Sequence, residues 1–443
     1  MRKIQISDHF GISTILLFAL PSIGMQLVDN TYQVADGYFI SNYIGSSAFA
    51  AESLIFPPLA IVAGVGMMFG SGAAALISHT LGEGDRERAN RQLGTTIGIL
   101  AAVAVLLSLL LYLLVPWLAV ALGASEKMAP LCVEYARILA ICMPFQILNG
   151  AFHPLLITAD RPGLGLLVSV VNACMNILLD WIVVAKLGWG MKGAALATGL
   201  AWITSAMIPL FWFMSKRRPL HFGAFRWNGG ELGKICYNGT SEMIGALSFA
   251  LIAMLFNGQL LRYAQGESGV DAYAVCTYAG GVIVSVFFGI SMSITPVVGY
   301  HLGENNREEL RGLRLNGCLL MVGLGFCMAA LCYAFAWQIA GFFVGYDQAL
   351  TELSVEALRI ISFTYVISGL TTFSSAFFTG MGDGHASLAV AMVKGFAAPL
   401  ACLLILPRLF GLTGIWFVTP LAECFALMVA CVFWTRYKKK GVL

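Results

Sequence analysis

Leu81-Gly82-Glu83-Gly84-Asp85-Arg86-Glu87 recurs 221 positions later as Leu302-Gly303-Glu304-Asn305-Asn306-Arg307-Glu308, and 221 is half of the chain's 443 residues. The same shift relates three further pairs of identical residues: Gly190 and Gly411, Gly193 and Gly414, and Thr198 and Thr419. One register held across widely separated segments is the signature of an internal repeat. The sequence therefore predicts one structural unit written twice.

The composition places this repeat in a lipid bilayer. Apolar residues make up 59% of the chain and charged residues only 11%. Apolar runs of roughly 20 residues or more are long enough to cross a membrane as helices. We count twelve such runs, six in each half: 12–40, 47–80, 94–122, 128–158, 164–186, 192–215, 235–263, 271–301, 315–344, 350–381, 386–407 and 411–435.

Six helices is an even number, so both halves enter the bilayer from the same side. The repeats are then parallel and related by a pseudo-two-fold axis along the membrane normal. We predict an all-α polytopic membrane protein whose twelve transmembrane helices form two six-helix bundles. The expected domains are an N-lobe at residues 1–218 with helices 1 to 6, a cytoplasmic linker at 219–234, and a C-lobe at 235–443 with helices 7 to 12.

The distribution of basic residues among the loops predicts how the chain is oriented in the membrane. Eighteen of the 26 lysines and arginines, among them Arg2, Lys3 and Lys440, fall on one predicted side. Five fall on the other side: Lys127, Lys186, Lys192, Arg262 and Arg408. Since cytoplasmic loops carry the excess of basic residues, both termini are predicted to be cytoplasmic.

The sequence gives little support for a nucleic-acid partner, a cofactor or a bound transition metal. The net charge of +3 follows from this topology and gives no reason to expect a nucleic-acid partner. The eleven cysteines contain no Cys-x-x-Cys pair, and the six histidines are scattered, so neither a cofactor nor a transition-metal site is expected. We expect a monomer whose partners are the lipid bilayer and small organic substrates.

Function is expected where the two halves differ. Helix 1 carries Asp29, Tyr32, Gln33 and Asp36, whose spacings of three, four and seven predict one polar stripe. The residue of helix 7 that matches Asp36 is the neutral Asn257.

Helix 5 carries a second stripe, Asn172, Asn176 and Asp180, whereas the matching residues 397–403 of helix 11 are apolar. A charged side chain at the bilayer centre costs about 2.5–3.5 kcal/mol even on insertion scales, so two acids facing one lobe require compensation. A proton or a hard cation such as sodium would supply it. The alternative is that Asp36 and Asp180 only hydrogen-bond neighbouring helices together.

The C-terminal half has fewer charged residues that are candidates for a functional role. Glu242 matches Pro21 of helix 1 and either faces the cleft between the lobes or is an interfacial acid near a helix end. Lys394 and Glu423 lie within helices 11 and 12, and we interpret them as a mutual ion pair.

These residues resemble a known family, the multidrug and toxic compound extrusion transporters, in particular their prokaryotic branches. The resemblance covers nearly the whole chain. It rests on several segments: Ala35–Ile40 with Ile44–Ala51, Gly70-Ser71-Gly72, Leu81–Asp85, Asn176–Asp180, Gly190–Thr198, Asn257, Gly289-Ile290-Ser291 and Leu302–Asn306.

The resemblance implies a V-shaped pair of bundles that exports organic, often cationic and amphipathic compounds by alternating access, driven by inward flow of protons or sodium. It also implies a location in the bacterial inner (plasma) membrane. In members with an acidic N-lobe it places the cation site at Asp36, Asn176, Asp180 and Thr198. Pro21 is similar to a helix 1 proline at which some members bend. The chain departs from the branch whose cation site lies on helices 7, 8 and 10, because helices 8 and 10 show no acid in mid-helix.

The expected function is therefore a cation-coupled multidrug antiporter, with Asp29, Tyr32, Gln33, Glu242 and Asn257 as candidates for the substrate cavity. One alternative is a flippase for a lipid-linked or other amphipathic substrate of the same superfamily, although such proteins carry basic cavity residues. A membrane-embedded enzyme is disfavoured, since no Gly-x-Ser-x-Gly or His-Glu-x-x-His motif occurs.

Overall fold

The computed structural model describes residues 4–264 and 268–439, without the side chains of residues 249 and 250, and every regular element in these segments is helical. Arg2, Lys3 and Lys440, which contributed to the charge asymmetry, lie outside the described residues. Twelve of the helices are long and apolar enough to span a membrane. They are Ile12–Ile44, Ser46–Gly82, Arg86–Ala121, Met128–Thr158, Pro162–Lys186, Gly190–Met214, Gly229–Tyr263, Ser268–Gly303, Arg307–Ala334, Gln348–Gly380, Gly384–Trp416 and Val418–Lys439, and are called helices 1 to 12 below.

The predicted fold class is thus confirmed, and the repeat is visible in the turns. Gly84 and Asn305, which are 221 positions apart, both adopt the left-handed backbone conformation, with φ of 85° and 58°. The next residues cap the following helices: Asp85 Oδ1 accepts the amide of Arg88 at 2.9 Å, and Asn306 Oδ1 accepts that of Glu309 at 3.1 Å. These N-caps satisfy amides at the helix ends and start helices 3 and 9 about two turns before their apolar runs.

Some predicted boundaries were wrong. The run 315–344 is divided at Phe335 into helix 9 and a short helix, Ala336–Val344. The linker ends earlier than predicted, because helix 7 already begins at Gly229, where the Asn228 side chain caps it. By contrast, the predicted start of helix 12 at residue 411 agrees with the backbone: two helical segments meet at Gly411, whose φ of 60° matches the φ of 61° at the repeat-equivalent Gly190. Helical geometry therefore extends beyond the apolar residues wherever a cap or a glycine permits it.

The helix packing shows the same internal repeat as the sequence. In the first half, helix 4 packs on helices 2, 3 and 6, and helix 5 packs on helices 1 and 6. In the second half, helix 10 packs on helices 8, 9 and 12, and helix 11 packs on helices 7 and 12, which are the equivalent pairs. The main contacts between the halves are helix 1 with helix 8 and helix 2 with helices 7 and 8. This is the arrangement that a pseudo-two-fold axis between two bundles requires.

The linker between the halves defines one side of the molecule, called the linker side below; the opposite side is the far side. The linker lies along helix 3, where His221 and Gly223 donate their amides to Asn90 at 2.8 and 2.9 Å. On the same side, Arg88 of helix 3 pairs with Glu231 of helix 7, with Nη2 and Oε1 2.9 Å apart.

The two bundles meet most closely on the linker side, at glycines. A Cβ at Gly82 would overlap the carbonyl oxygen of Tyr300, and a Cβ at Gly303 would overlap that of His79, which is the repeat-related contact. Small residues of this kind let helix backbones approach closely.

Toward the far side, large side chains of the same helices are exposed, including Tyr38 and Phe56 in the first half and Met254, Tyr278 and Val282 in the second. We infer from these contacts and exposures that the bundles are closed together on the linker side and separate toward the far side.

Gly303→Ala should loosen the closed side, because the added methyl group overlaps the His79 carbonyl and overpacking of this kind costs about 1–3 kcal/mol. We expect spin labels at the exposed, repeat-equivalent positions Glu87 and Glu308 to show a longer and broader distance distribution by pulsed electron resonance, after replacement of the native cysteines. Gly312→Ala is the matched control, since nothing lies near its Cβ. An unchanged distance distribution in Gly303→Ala would contradict the contact.

Candidate functional site

The polar residues of helices 1, 5 and 6 meet inside the first bundle. Asp36 is 5% exposed, and its Oδ1 lies 3.5 Å from the Thr198 hydroxyl, which donates to it. The same hydroxyl accepts the side-chain amide of Asn176 at 3.1 Å. Asp36, Asn176 and Thr198 therefore form one connected group, as the comparison with the family implied.

Asp180 completes this group from the end of helix 5. It is fully buried, and its carboxyl group contacts that of Asp36. Among the described residues, neither carboxyl oxygen of Asp180 has a hydrogen-bond donor. Two facing carboxyl groups without a donor can be satisfied by a shared proton or by a bound cation.

Local helix geometry brings these carboxyl groups together. Asp180 begins a π-helical turn, Asp180–Lys186, and helix 1 ends in another, Ile40–Ile44. The two π turns contact each other beside the site. Such turns are wider than an α-helical turn and occur frequently at functional sites.

Glu52 of helix 2 is a third acid at this site, and the sequence analysis missed it. Its carboxyl group contacts that of Asp36, and its Oε2 is buried without a donor. A signal was present, since the residue of the second half that matches Glu52 is the neutral Tyr273. Glu52 lies only two turns into helix 2, where an acid is easily taken for an interfacial residue.

No basic side chain neutralises the three acids within the described segments. The ion pairs found there involve other carboxylates; Lys192, for example, pairs with Glu134 at 3.1 Å. Two unit charges 4 Å apart repel by about 4 kcal/mol at an effective dielectric constant of 20. The described residues contain no group of three or more His, Cys, Asp or Glu side chains arranged as a metal site. The polar atoms that meet at the acids are carboxyl, amide and hydroxyl oxygens, the ligand types that hard cations prefer.

A second polar layer lies on the linker side of these acids. Asn149 donates to the Ser205 hydroxyl at 2.9 Å, and that hydroxyl donates to Asn172 at 3.4 Å. The buried Tyr32 hydroxyl lies beside Asn172. Asp29 lies near His153 of helix 4, a residue that the sequence analysis did not single out. Asp29 and Tyr32 thus face the interior of the first bundle.

The other cavity candidates lie apart from this interior. Gln33 is exposed, one residue and about 100° around helix 1 from Tyr32, so the predicted four-residue stripe is split between two faces. Asn257 is exposed on the far-side half of helix 7. Across the cleft, Asn30 of helix 1 donates to the Ser285 hydroxyl of helix 8. Glu242 is half-buried on the linker-side half of helix 7.

Helix 1 is continuous through Pro21, with α-helical backbone from Ile12 to Phe39. The residues after Pro21 are held against helix 8, because Ser293 donates to the Ser22 hydroxyl at 2.8 Å and Gly289 packs on the backbone of Ile23. A bend at Pro21 would have to break these contacts.

The second bundle neutralises its own acid. Lys394 Nζ and Glu423 Oε1 are 3.0 Å apart, which confirms the predicted ion pair. Thr371 donates to the other Glu423 oxygen at 2.6 Å, and Lys394 also donates to Thr372 at 2.7 Å. Lys394 and Glu423 thus neutralise each other, whereas Asp36, Glu52 and Asp180 of the first bundle have no basic partner among the described residues.

Comparison with known proteins agrees with this architecture. The MatE family model matches the chain twice, over residues 21–182 and 242–404. The multidrug export protein MepA of Staphylococcus aureus (strain NCTC 8325 / PS 47) is 23% identical over 420 residues, which cover 93% of this chain and 91% of MepA.

Solved structures share the fold. A MATE protein in complex with MaL6 has a TM-score of 0.92 at 23% identity, covering 100% of this chain and 99% of its own. An outward-facing multidrug resistance MATE family transporter of the MOP superfamily has a TM-score of 0.90 at 23% identity, covering 98% of this chain and 97% of its own. The two family-model matches begin at repeat-equivalent positions and together span well over half of the chain. The chain therefore belongs to the MatE family, the multidrug and toxic compound extrusion transporters, and is a membrane transporter rather than an enzyme.

Proposed function

We propose that this transporter exports organic, mainly cationic and amphipathic compounds in exchange for protons or sodium ions, by alternating access between the two bundles. The observation that carries the proposal is the group of three carboxyl side chains, Asp36, Glu52 and Asp180, which meet without a basic partner in the described residues. The multidrug export activity named for MepA supports the choice of substrate class.

The acid cluster explains how a cation gradient would drive transport. With all three acids charged, burial and mutual repulsion raise the free energy of the packed first bundle. A proton or sodium ion entering from the far side, where the cleft is open, relieves this cost. The bound cation thereby changes the relative stability of the bundle's conformations, which is the differential interaction that coupling requires.

The cleft has features that suit amphipathic cations. Its far-side walls expose aromatic and aliphatic side chains such as Tyr38, Phe56 and Met254. Ring faces and aliphatic groups bind the apolar part of such compounds, and aromatic faces attract cations. Glu242 is an acid on the linker-side half of helix 7 without an ion-pair partner in the described segments, so it is placed to attract a positive charge as the cleft closes.

A flippase remains the alternative, and the charge distribution disfavours it. A pyrophosphate-linked substrate requires basic cavity residues, whereas the lysine inside the second bundle, Lys394, is already paired with Glu423. We further propose that the protein acts as a monomer in the bacterial plasma membrane with both termini cytoplasmic, which makes the linker side the cytoplasmic side.

Transport in proteoliposomes tests the function directly. Uptake or release of ethidium, a fluorescent organic cation, would be followed under proton and sodium gradients imposed separately. Movement driven by one of the two gradients supports antiport and identifies the coupling ion. Movement of a fluorescent lipid between leaflets, with no ethidium transport under either gradient, would support the flippase instead.

Asp36→Asn and Asp180→Asn should each reduce gradient-driven ethidium transport to background while the protein still folds. Replacing a buried acid by its amide removes the group that binds the cation and also removes a desolvation cost, so the melting temperature should hold or rise. Glu126→Gln, a change at an exposed acid on the far side, is the matched control and should transport normally. Normal gradient-driven transport by either asparagine variant would refute the role of these acids.

Glu52→Gln should slow transport by about tenfold, equivalent to about 1.4 kcal/mol, and should raise the concentration of driving cation needed for half-maximal rate. The reason is that the third carboxylate adds attraction for the cation but is less enclosed than Asp180. Glu52→Asp should retain more activity than Glu52→Gln. Ser53→Ala changes an exposed neighbour on helix 2 and serves as the control. If the dependence of transport rate on cation concentration is unaltered in Glu52→Gln, Glu52 does not take part in cation binding.

A further inference from the structure

Helices 4 and 10 carry the same charged motif outside the candidate site. Val133-Glu134-x-x-Arg137-Ile138 in helix 4 recurs as Val355-Glu356-x-x-Arg359-Ile360 in helix 10. The two arginines occupy equivalent places in the two bundles, although they lie within membrane-spanning helices. An arginine inside such a segment is rare and requires a partner.

Each arginine lies over a tyrosine of the preceding helix. The guanidinium carbon of Arg137 is 5.1 Å from the ring centre of Tyr112, and that of Arg359 is 5.2 Å from the ring centre of Tyr333. Tyr112 and Tyr333 are themselves equivalent in the repeat. In both places the ring restrains the plane of the guanidinium group.

The expected acidic partners are engaged elsewhere. A glutamate three residues away on a helix is the usual partner of an arginine. Glu134, however, pairs with Lys192 of helix 6 at 3.1 Å, and Glu356 accepts the Thr413 hydroxyl at 3.2 Å.

The arginines consequently lack an anionic partner. Neither Arg137 nor Arg359 has an ion pair with a described residue, and the Nε of each is buried without an acceptor. Two guanidinium groups thus retain unused donors at equivalent places.

Both arginines lie on the outer faces of the bundles. One helical turn further along each helix, Ile141 and Phe363 are 66% and 57% exposed, and Leu113 of helix 3 is exposed beside Tyr112. The arginines are nine and eleven residues from the far-side helix ends at Met128 and Gln348. Helical side chains tilt toward the N-terminus, which points both guanidinium groups toward the far-side membrane interface.

We propose that Arg137 and Arg359 form two equivalent sites, one on each bundle, that bind the phosphate group of phospholipids in the far-side leaflet. The guanidinium group, placed over the tyrosine ring, would donate the N–H groups of its terminal nitrogens to two phosphate oxygens. The exposed apolar residues next to it contact the acyl chains. The inference does not depend on the proposed transport function, because these sites face the lipid and not the cleft.

Native mass spectrometry of the whole protein, released from nanodiscs of phosphatidylglycerol and phosphatidylethanolamine, tests the proposal. We expect two tightly retained phospholipids per wild-type protein, one in Arg137→Gln or Arg359→Gln, and none in the double variant. Titration with short-chain phosphatidylglycerol should show affinity about tenfold lower at each altered site, as expected for the loss of a charge-assisted hydrogen bond. Added phosphatidylglycerol should also raise the melting temperature of the wild type more than that of the double variant.

Arg408→Gln is the matched control, because it removes an exposed far-side arginine outside the motif and should leave two lipids bound. Inorganic phosphate forms a separate arm: if it displaces the lipid at low millimolar concentration, the sites bind free anions and the lipid proposal is wrong. Equal lipid retention by the wild type and the double glutamine variant would also overturn it. If the double variant does not fold, Arg137→Lys with Arg359→Lys replaces it, with weakened retention expected because a lysine cannot form the bidentate contact.

Discussion

Three carboxyl groups that share one buried space without a basic partner impose the strongest constraint on this structure. Asp36, Glu52 and Asp180 come from helices 1, 2 and 5; helix 1 packs on helix 5, and both aspartates are buried. A lipid-embedded bundle has no bulk water with which to hydrate such charges, and a proton or a cation is the neutralising partner that we propose. In that mechanism, occupancy of one small site would be linked to the stability of the first bundle.

The two halves share one scaffold but differ in their buried charges. Both bundles use the same helix pairs, the same capped turns and the same glycine crossings. In the second bundle an internal lysine and glutamate form their own ion pair, and Thr371 donates to the second carboxyl oxygen of that glutamate. In the proposed mechanism, the cation acts on the acid cluster of the first bundle and not on this ion pair. Divergence of the repeats at a few buried positions has thus left an acid cluster in one bundle and an internal ion pair in the other.

The sequence predicted the scaffold better than the site. Periodic apolar runs and a constant repeat shift are properties of the chain itself, so the helix number and the repeat could be predicted from it. Asp36 and Asp180 were found because their counterparts are neutral. Glu52 was missed because the depth of a residue in the membrane depends on where its helix begins, and Gln33 was misplaced because one residue of rotation separates the interior from the exposed face. The π turns that bring the acids together had no recognisable local signal.

Helix 1 connects the acid cluster to the contact between the bundles. Asp36 lies in its far-side half, inside the first bundle, while Ser22 and Ile23 lie in its linker-side half against helix 8 of the second bundle. One continuous helix therefore carries both the charge-sensitive group and part of the closed interface. In the proposed mechanism, a change in the charge of Asp36 would alter how helix 1 packs on helix 5, and a continuous helix would transmit that displacement to Ser22. A bend at Pro21 would interrupt this transmission. The continuous form of helix 1 is therefore the one in which cation binding at Asp36 would be linked mechanically to the contact between the bundles.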